Sequence, residues 1–335
     1  MTTIHRITCP IPFPLKTVNC YYIHDVCPTL IDSGVNTPDS MASIEAGIRQ
    51  AGGRLSDVRR VIVTHAHTDH VGLAGRLAGA SGAEVFIHHR DYPKFISADE
   101  QQSRAQFQRF RQFLDFCGVP DPLARAQADA FKARVGHLVV PLEAPHLLSG
   151  GETFVFDDFE LQVVHTPGHS AGSISLFDAA DGRLFSGDFL LEHITPNPVA
   201  EFSLPGGQNG YGSLARFTSS LEWLVAQDVA QVLPGHGSDF AHARQRGVAL
   251  LNHFGRRRKQ VIRLMTHAQA GLPGDQGVTL TQLVRQMFPG LKDMAVFLGL
   301  SEAYAYLQLL ESEALLEVWC DQGGGRYRLK QEALP

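Results

Sequence analysis

The stretch Thr64-His65-Ala66-His67-Thr68-Asp69-His70 sets four side chains able to ligate a metal within a span of six positions. It follows directly on the apolar run Val61 to Val63, which reads as a buried strand. Four ligands cannot all face one way along a continuing strand, because successive side chains alternate between its faces. At a strand end the chain turns, presenting His65 and His67 to one side and bringing Asp69 and His70 to a neighbouring point. That arrangement suits two metal ions rather than one. A solvated histidine-rich loop is the plainer alternative, and the hydrophobic strand leading into the cluster argues against it.

The same order, strand and then ligand, recurs three times. Leu161 to Val164 leads into His165-Thr166-Pro167-Gly168-His169, Leu184-Phe185 into Ser186-Gly187-Asp188, and Val232-Leu233 into Pro234-Gly235-His236-Gly237. Each sets a His or Asp beside glycine, where backbone can approach closely. One His or Asp at a strand end is usually a hydrogen-bonded cap, but four such sites in one chain point to a shared centre. His193 opens a proline-bounded loop five positions after Asp188 and is a candidate to face substrate as a catalytic residue. Tyr211, between Gly210 and Gly212, reads as structural. His24, His88, His89, His165 and His242 read as supporting or surface residues.

The elements that must carry these residues are short. Val18 to Ile23, Thr29 to Ile31, Val85 to Ile87 and Ile174 to Phe177 read as further strands, and Ser40 to Ala51 and Gly72 to Leu77 as helices. Residues from about Tyr92 to Val135 break the rhythm with an amphipathic helical insertion containing Phe107, Phe110 and Phe113. It is either a lid over a site or a surface hairpin. From about 246 the balance of charge changes, with 11 Lys+Arg against 8 Asp+Glu up to residue 335. There a helix bearing Arg256 to Lys259 precedes two more, Thr279 to Met287 and Ser301 to Leu310. A hairpin from Leu315 to Leu329 turns at Gly323-Gly324-Gly325 and completes a winged-helix outline. The expected division is 1–245 and 246–335.

The 335-residue composition is that of a globular chain, 44% hydrophobic and 19% charged, which excludes a disordered chain or a coiled coil. A net charge of −5 excludes a whole-protein basic field for nucleic acid. Sixteen histidines are the unusual feature. The five cysteines are scattered and never paired as CxxC, which points to a reducing, cytoplasmic compartment. No stretch reaches the roughly 18 uninterrupted apolar residues of a membrane span.

The set HxHxDH (His65, His67, Asp69, His70), His169, Asp188 and His236 closely resembles the metallo-β-lactamase superfamily of metal-dependent hydrolases. Asp32, in Leu30-Ile31-Asp32-Ser33-Gly34, resembles that superfamily's acidic turn after an early strand. The resemblance spans residues from about 15 to about 240. It implies an α/β fold, an αββα sandwich with its site at one edge. It also implies one ion on His65, His67 and His169, a second on Asp69, His70 and His236, and Asp188 bridging both. Imidazole and carboxylate ligands without thiolate suit zinc and tolerate iron or manganese. Two divalent ions about 3.5–4 Å apart share a hydroxide whose parent water has a pKa near about 7. Asp69 is the candidate to orient that hydroxide and shuttle its proton. Glu at the position of His67 typifies the diiron flavoprotein branch, so histidine there favours hydrolysis over redox chemistry.

Three functions follow in order. The first is hydrolysis of a small-molecule ester, thioester or lactone, with the insertion's phenylalanines covering an apolar acyl group. Glyoxalase II-like thioesterases are similar in the metal motif and in an Asn19-Cys20-Tyr21-Tyr22-type entry strand, but no glutathione-binding tail is recognisable. The second is an endoribonuclease or phosphodiesterase, since the tail is similar to that of a subgroup with RNA-cleaving members. Nucleic acid is the weaker partner, because Ser301 to Leu310 carries Glu302 and no Lys or Arg. The third is a metal-bound sensor without turnover. The tail is expected to pack on the core or to form part of a homodimer.

Overall fold

The computed structural model describes residues 2–92, 100–119, 136–201, 211–273, 276–291 and 294–330, with residues 126, 129, 130 and 133. Two sheets face each other. The first runs in the order β1 (Thr3–Pro10), β2 (Thr17–His24), β3 (Thr29–Ile31), β4 (Arg60–Ile62), β5 (Glu84–His88) and β6 (His146–Leu148). It is antiparallel from β1 to β3 and parallel from β3 to β6. The second runs β11 (Gln231–Pro234), β10 (Arg183–Gly187), β9 (Ile174–Asp178), β8 (Glu160–His165) and β7 (Thr153–Val155).

Side-chain alternation builds the layers. In β2, Tyr21 and Ile23 point inward and pack with Leu161, Leu176 and Phe185 of the second sheet. Val18, Cys20 and Tyr22 point outward to a separate apolar layer with Ile44, Ile48 and Leu77. Those last residues come from α1 (Pro38–Gln50) and α3 (Ala74–Ser81). Thr37 caps α1, accepting from the Ser40 amide at 3.3 Å, with Pro38 in the first turn. On the other side, Phe177 and Leu184 of β9 and β10 pack outward on α5 (Ser213–Val225) and α6 (Ala243–Ala270). The order of layers is helix, sheet, sheet, helix.

The C-terminal part continues this outer layer. After α6 come β12 (Val278–Thr279), α7 (Leu280–Met287), α8 (Met294–Ser312) and the hairpin of β13 (Leu316–Asp321) and β14 (Gly324–Leu329). The three strands form a small sheet in the order β12-β14-β13. A capping box between Thr279 and Gln282 starts α7. One apolar cluster joins Phe189 and Phe217 to Phe254, Leu283, Tyr304 and Tyr306, so the tail covers the outer face of the second sheet.

Within the expected insertion, the described helix is α4 (Glu100–Phe116). Phe110 and Phe113 are buried against α8, with ring centroids 5.2 Å from Phe297 and 5.3 Å from Tyr304. The expectation that they cover a substrate is therefore corrected: their apolar surface is already used in packing the tail. The later part of the expected insertion, from 120 to 135, falls mostly outside the described residues. The basic run is likewise partly committed. Arg257 lies 3.3 Å from Glu302 and stacks over Phe288, and Arg258 pairs with Glu313, which ties α6 to its neighbours. Among the described residues, no helix is long and apolar enough to cross a membrane.

Candidate metal centre

Four strand ends and the turns after them bring seven side chains together. His65 and His67 follow β4, and Asp69 and His70 lie in the one-turn helix α2 (Thr68–Val71). His169 follows β8, Asp188 follows β10, and His236 follows β11. Nε2 of His65 and Nε2 of His169 each lie 2.9 Å from Nδ1 of His67. Nε2 of His236 lies 3.4 Å from Oδ2 of Asp69. Asp188 stands between the two groups: Oδ1 is 3.3 Å from His70 Nε2, and Oδ2 is 3.5 Å from His169 Nε2 and 3.4 Å from His236 Nε2. Gly235 makes room for it, since a Cβ there would fall 2.5 Å from Asp188 Oδ1.

Outer contacts aim the inner nitrogens. His70 donates from Nδ1 to Asp32 at 2.7 Å, His236 from Nδ1 to the Thr17 carbonyl at 2.6 Å, and His169 from Nδ1 to the Asn197 carbonyl at 3.0 Å. Each contact fixes the tautomer that leaves an Nε2 lone pair facing the cluster. Asp32 is buried with φ of 60°, and its carboxylate also accepts from the Thr64 amide and hydroxyl. Strand β2 braces the His236 loop: Asn19 donates from Nδ2 to the carbonyls of Pro234 and Gly237, and Tyr21 donates its hydroxyl to Pro234.

The electrostatics are those of imidazoles and carboxylates crowded together. Burial alone would push His236 down, but the field of Asp188 and the carboxylate oxygens of Asp188 and Asp69, each 3.4 Å from Nε2, carry it up to about 10. Burial likewise opposes charge on His70, and Asp188, Asp32 and Asp69 overcome it and hold the ring well above the usual histidine range. His65, buried beside three other imidazoles, is pushed well below that range. Burial works against the charge on Asp188, yet His70 and His236 keep its carboxyl well below the usual range.

His70 Nε2, His236 Nε2 and Asp188 Oδ1 are buried without a hydrogen-bond partner. Orphaned polar atoms of this kind cost about 1–3 kcal/mol each, and a cation at their convergence removes that cost. Among the described residues, three groups each have their candidate ligand atoms within 4.8 Å of one another: His65, His67 and His169; His65, His70 and Asp188; and Asp69, His70 and His236. The donor set therefore fits divalent metal ions, with imidazole nitrogens and carboxylate oxygens and no thiolate.

His193 does not join this cluster. Its side chain is 83% exposed, and Nε2 lies 3.1 Å from Glu192, because its loop turns outward beyond Leu191. His24 bonds to the Ala51 carbonyl, and His88 stacks on His165 with centroids 4.1 Å apart. His89 bonds to the Leu148 carbonyl, and His242 lies 3.7 Å from Glu192. Tyr211 donates its hydroxyl to the Ser170 carbonyl. Sequence reasoning missed Asp91. This buried carboxylate accepts from the Ala66 amide at 2.8 Å, the Ser170 hydroxyl at 2.7 Å and the Gly172 amide at 2.7 Å. It thus clamps the loop holding His65 and His67 to the loop holding His169. The available signal was its place just after β5, which runs parallel to β4 and ends at the same sheet edge.

Fold and geometry together are those of a candidate metal centre at one edge of an α/β sandwich, and the comparisons place the fold in a metallo-hydrolase superfamily. The family model described as the metallo-beta-lactamase superfamily matches residues 14–236, and the chain belongs to that superfamily. The sequence is 28% identical over 323 residues to the probable metallo-hydrolase YqjP of Bacillus subtilis (strain 168), covering 95% of this chain and 96% of that one. It is 23% identical over 285 residues to the atrochrysone carboxyl ACP thioesterase dmxR1 of Cryptosporiopsis sp. (strain 8999), covering 83% of this chain and 69% of that one. The crystal structure of the metallo-beta-lactamase family protein TTHA1429 from Thermus thermophilus aligns with a TM-score of 0.79 at 26% identity, covering 98% of each chain.

Proposed function

We propose that this chain is a binuclear metal-dependent hydrolase acting on a small-molecule ester, thioester or lactone, with zinc as its metal. The observation that carries the two-ion reading is Asp188, whose two oxygens contact ligands of both groups. His65, His67 and His169 would hold one ion and Asp69, His70 and His236 the other, with Asp188 shared. Bound there, the ions supply Lewis acidity to a substrate carbonyl and acidify a water to a pKa near about 7. Asp69 is half-buried, and although burial works against its charge, His70 and His236 keep its carboxyl below the usual range. It is therefore an available base, placed to orient the attacking water and accept its proton at a carboxylate oxygen.

The tail supports a small substrate over nucleic acid. Its order of helix, short strand, two helices and hairpin supports a winged-helix-type unit. Yet Ser301 and Ala303 to Leu307 of α8, the helix such units present to a groove, are buried in the core. Similarity to a thioesterase favours an acyl substrate. The free cysteines, including Cys9 and Cys20 with sulfurs 4.0 Å apart, support a reducing cytoplasmic setting.

The test is a metal-reconstituted screen over esters, thioesters, lactones, phosphodiesters and single-stranded RNA, with elemental analysis of the same preparation. Turnover of an acyl substrate that is lost in His67→Ala is the expected result. RNA cleavage lost in that variant would replace the reading with a nuclease, and bound metal without any turnover would replace it with a sensor.

A further inference from the structure

The loop that follows Asp188 is tied to the C-terminal helices at regular intervals. Arg246 of α6 donates to the carbonyls of Leu191 at 2.7 Å and Ile194 at 2.6 Å. Asn197 donates from Nδ2 to the Leu298 carbonyl of α8 at 3.1 Å. The Ala200 amide donates to the Ser301 hydroxyl of α8 at 2.6 Å, and both residues are buried. Between these ties sits the Asn197 carbonyl, the acceptor for His169 Nδ1. Asn197 lies between Pro196 and Pro198, and both rings restrict the backbone there. A displacement at Ala200 or Leu298 is thus carried to that carbonyl rather than absorbed.

We propose that Asn197 and Ser301 are positioning residues for the metal centre, through which the C-terminal helices aim His169. The inference rests on the two-ion reading above, and it predicts an asymmetry between the ions. His236 is braced by Thr17, Asn19 and Tyr21 of β2, and His70 by Asp32, all from the N-terminal part. Asp188 is steadied locally, since the Ser186 hydroxyl donates to the Leu190 carbonyl and the Phe189 amide to the Ser186 carbonyl. Among the described residues, the hydrogen bonds that lead from the tail to a ligand converge on His169.

Cobalt(II) titration of the full-length metal-free protein, followed by visible absorption and elemental analysis, tests this. In Ser301→Ala and in Asn197→Ala, one ion should bind about tenfold more weakly with altered cobalt bands, the scale expected for loss of outer support to a ligand. The other should stay within about twofold. Asn197→Ala keeps the backbone carbonyl and leaves α8 untouched, so it carries the test if Ser301→Ala does not fold. Two ions bound with unchanged affinities and bands overturn the proposal, whatever happens to the thermal midpoint of the metal-free chain. Equal weakening of both ions also overturns it, as general loosening. If the unsubstituted protein takes up one cobalt, the two-ion reading fails instead, and an unchanged affinity for that ion in Asn197→Ala overturns the positioning role as well. No cobalt uptake by the unsubstituted protein overturns both.

Discussion

At the residue scale, the centre is defined by lone pairs that converge and by protons held outside them. Asp188 is the shared member, so Asp188→Ala should lower the bound metal from two ions per chain to at most one, as read by elemental analysis after dialysis. The raised proton affinities of His70 and His236 lead to a second prediction. Burial disfavours the charged rings, but the surrounding carboxylates raise the proton affinity of both, that of His236 up to about 10. A ligating nitrogen must be deprotonated, so loading the ions expels protons, and affinity rises with pH until the folded-state value is passed. Calorimetric titration in two buffers of different ionisation heat at pH 7 should give a release of at least one proton, and zero release would refute it. The seven clustered side chains were legible because they stand at or just after strand ends in a recognisable spacing. His193 had only nearness in the chain to recommend it, and the chain there turns to solvent. Asp91 was not legible because a lone carboxylate after a strand has no motif, and it accepts from residues as far apart in the chain as 66, 170 and 172.

At the element scale, strands buried on both faces announce themselves. β2 is buried at nearly every position and was readable as an apolar run, whereas β1 alternates weakly at the sheet edge and was missed. β6 and β7 are three residues each, too short to carry a period. The helix α4 was readable as amphipathic, but periodicity marks an apolar face without saying what covers it. Here α8 and β14 do so, through Phe110, Phe113 and Phe116. Phe113→Ala should therefore cost about 3–5 kcal/mol of stability in denaturant unfolding, the price of emptying a buried aromatic site. A loss below about 1 kcal/mol would mean that this face is not packed as described.

At the scale of the whole molecule, the change in composition near residue 246 marks a change in the kind of structure without marking an independent core. A single apolar cluster runs from Phe177 and Phe217 through Phe254 to Tyr304 and Tyr327. Of the two tryptophans, Trp223 on α5 packs against it, and Trp319 lies on β13 next to Val318, which also packs against it. In Trp223→Phe and Trp319→Phe, the remaining fluorophore should report unfolding midpoints that agree once each variant's own stability is matched by far-ultraviolet circular dichroism. Separated transitions within one variant would show that the tail melts alone.

That shared cluster has a consequence for biosynthesis. All seven residues of the cluster are in the chain once His236 is incorporated, yet the apolar cluster that holds Phe189, Leu214 and Phe217 still lacks Phe254, Tyr304 and Tyr306. At elongation rates of about 5–20 residues per second, the remaining stretch takes roughly 5–20 s to appear. Until it does, the outer face of the second sheet lacks part of its apolar cover.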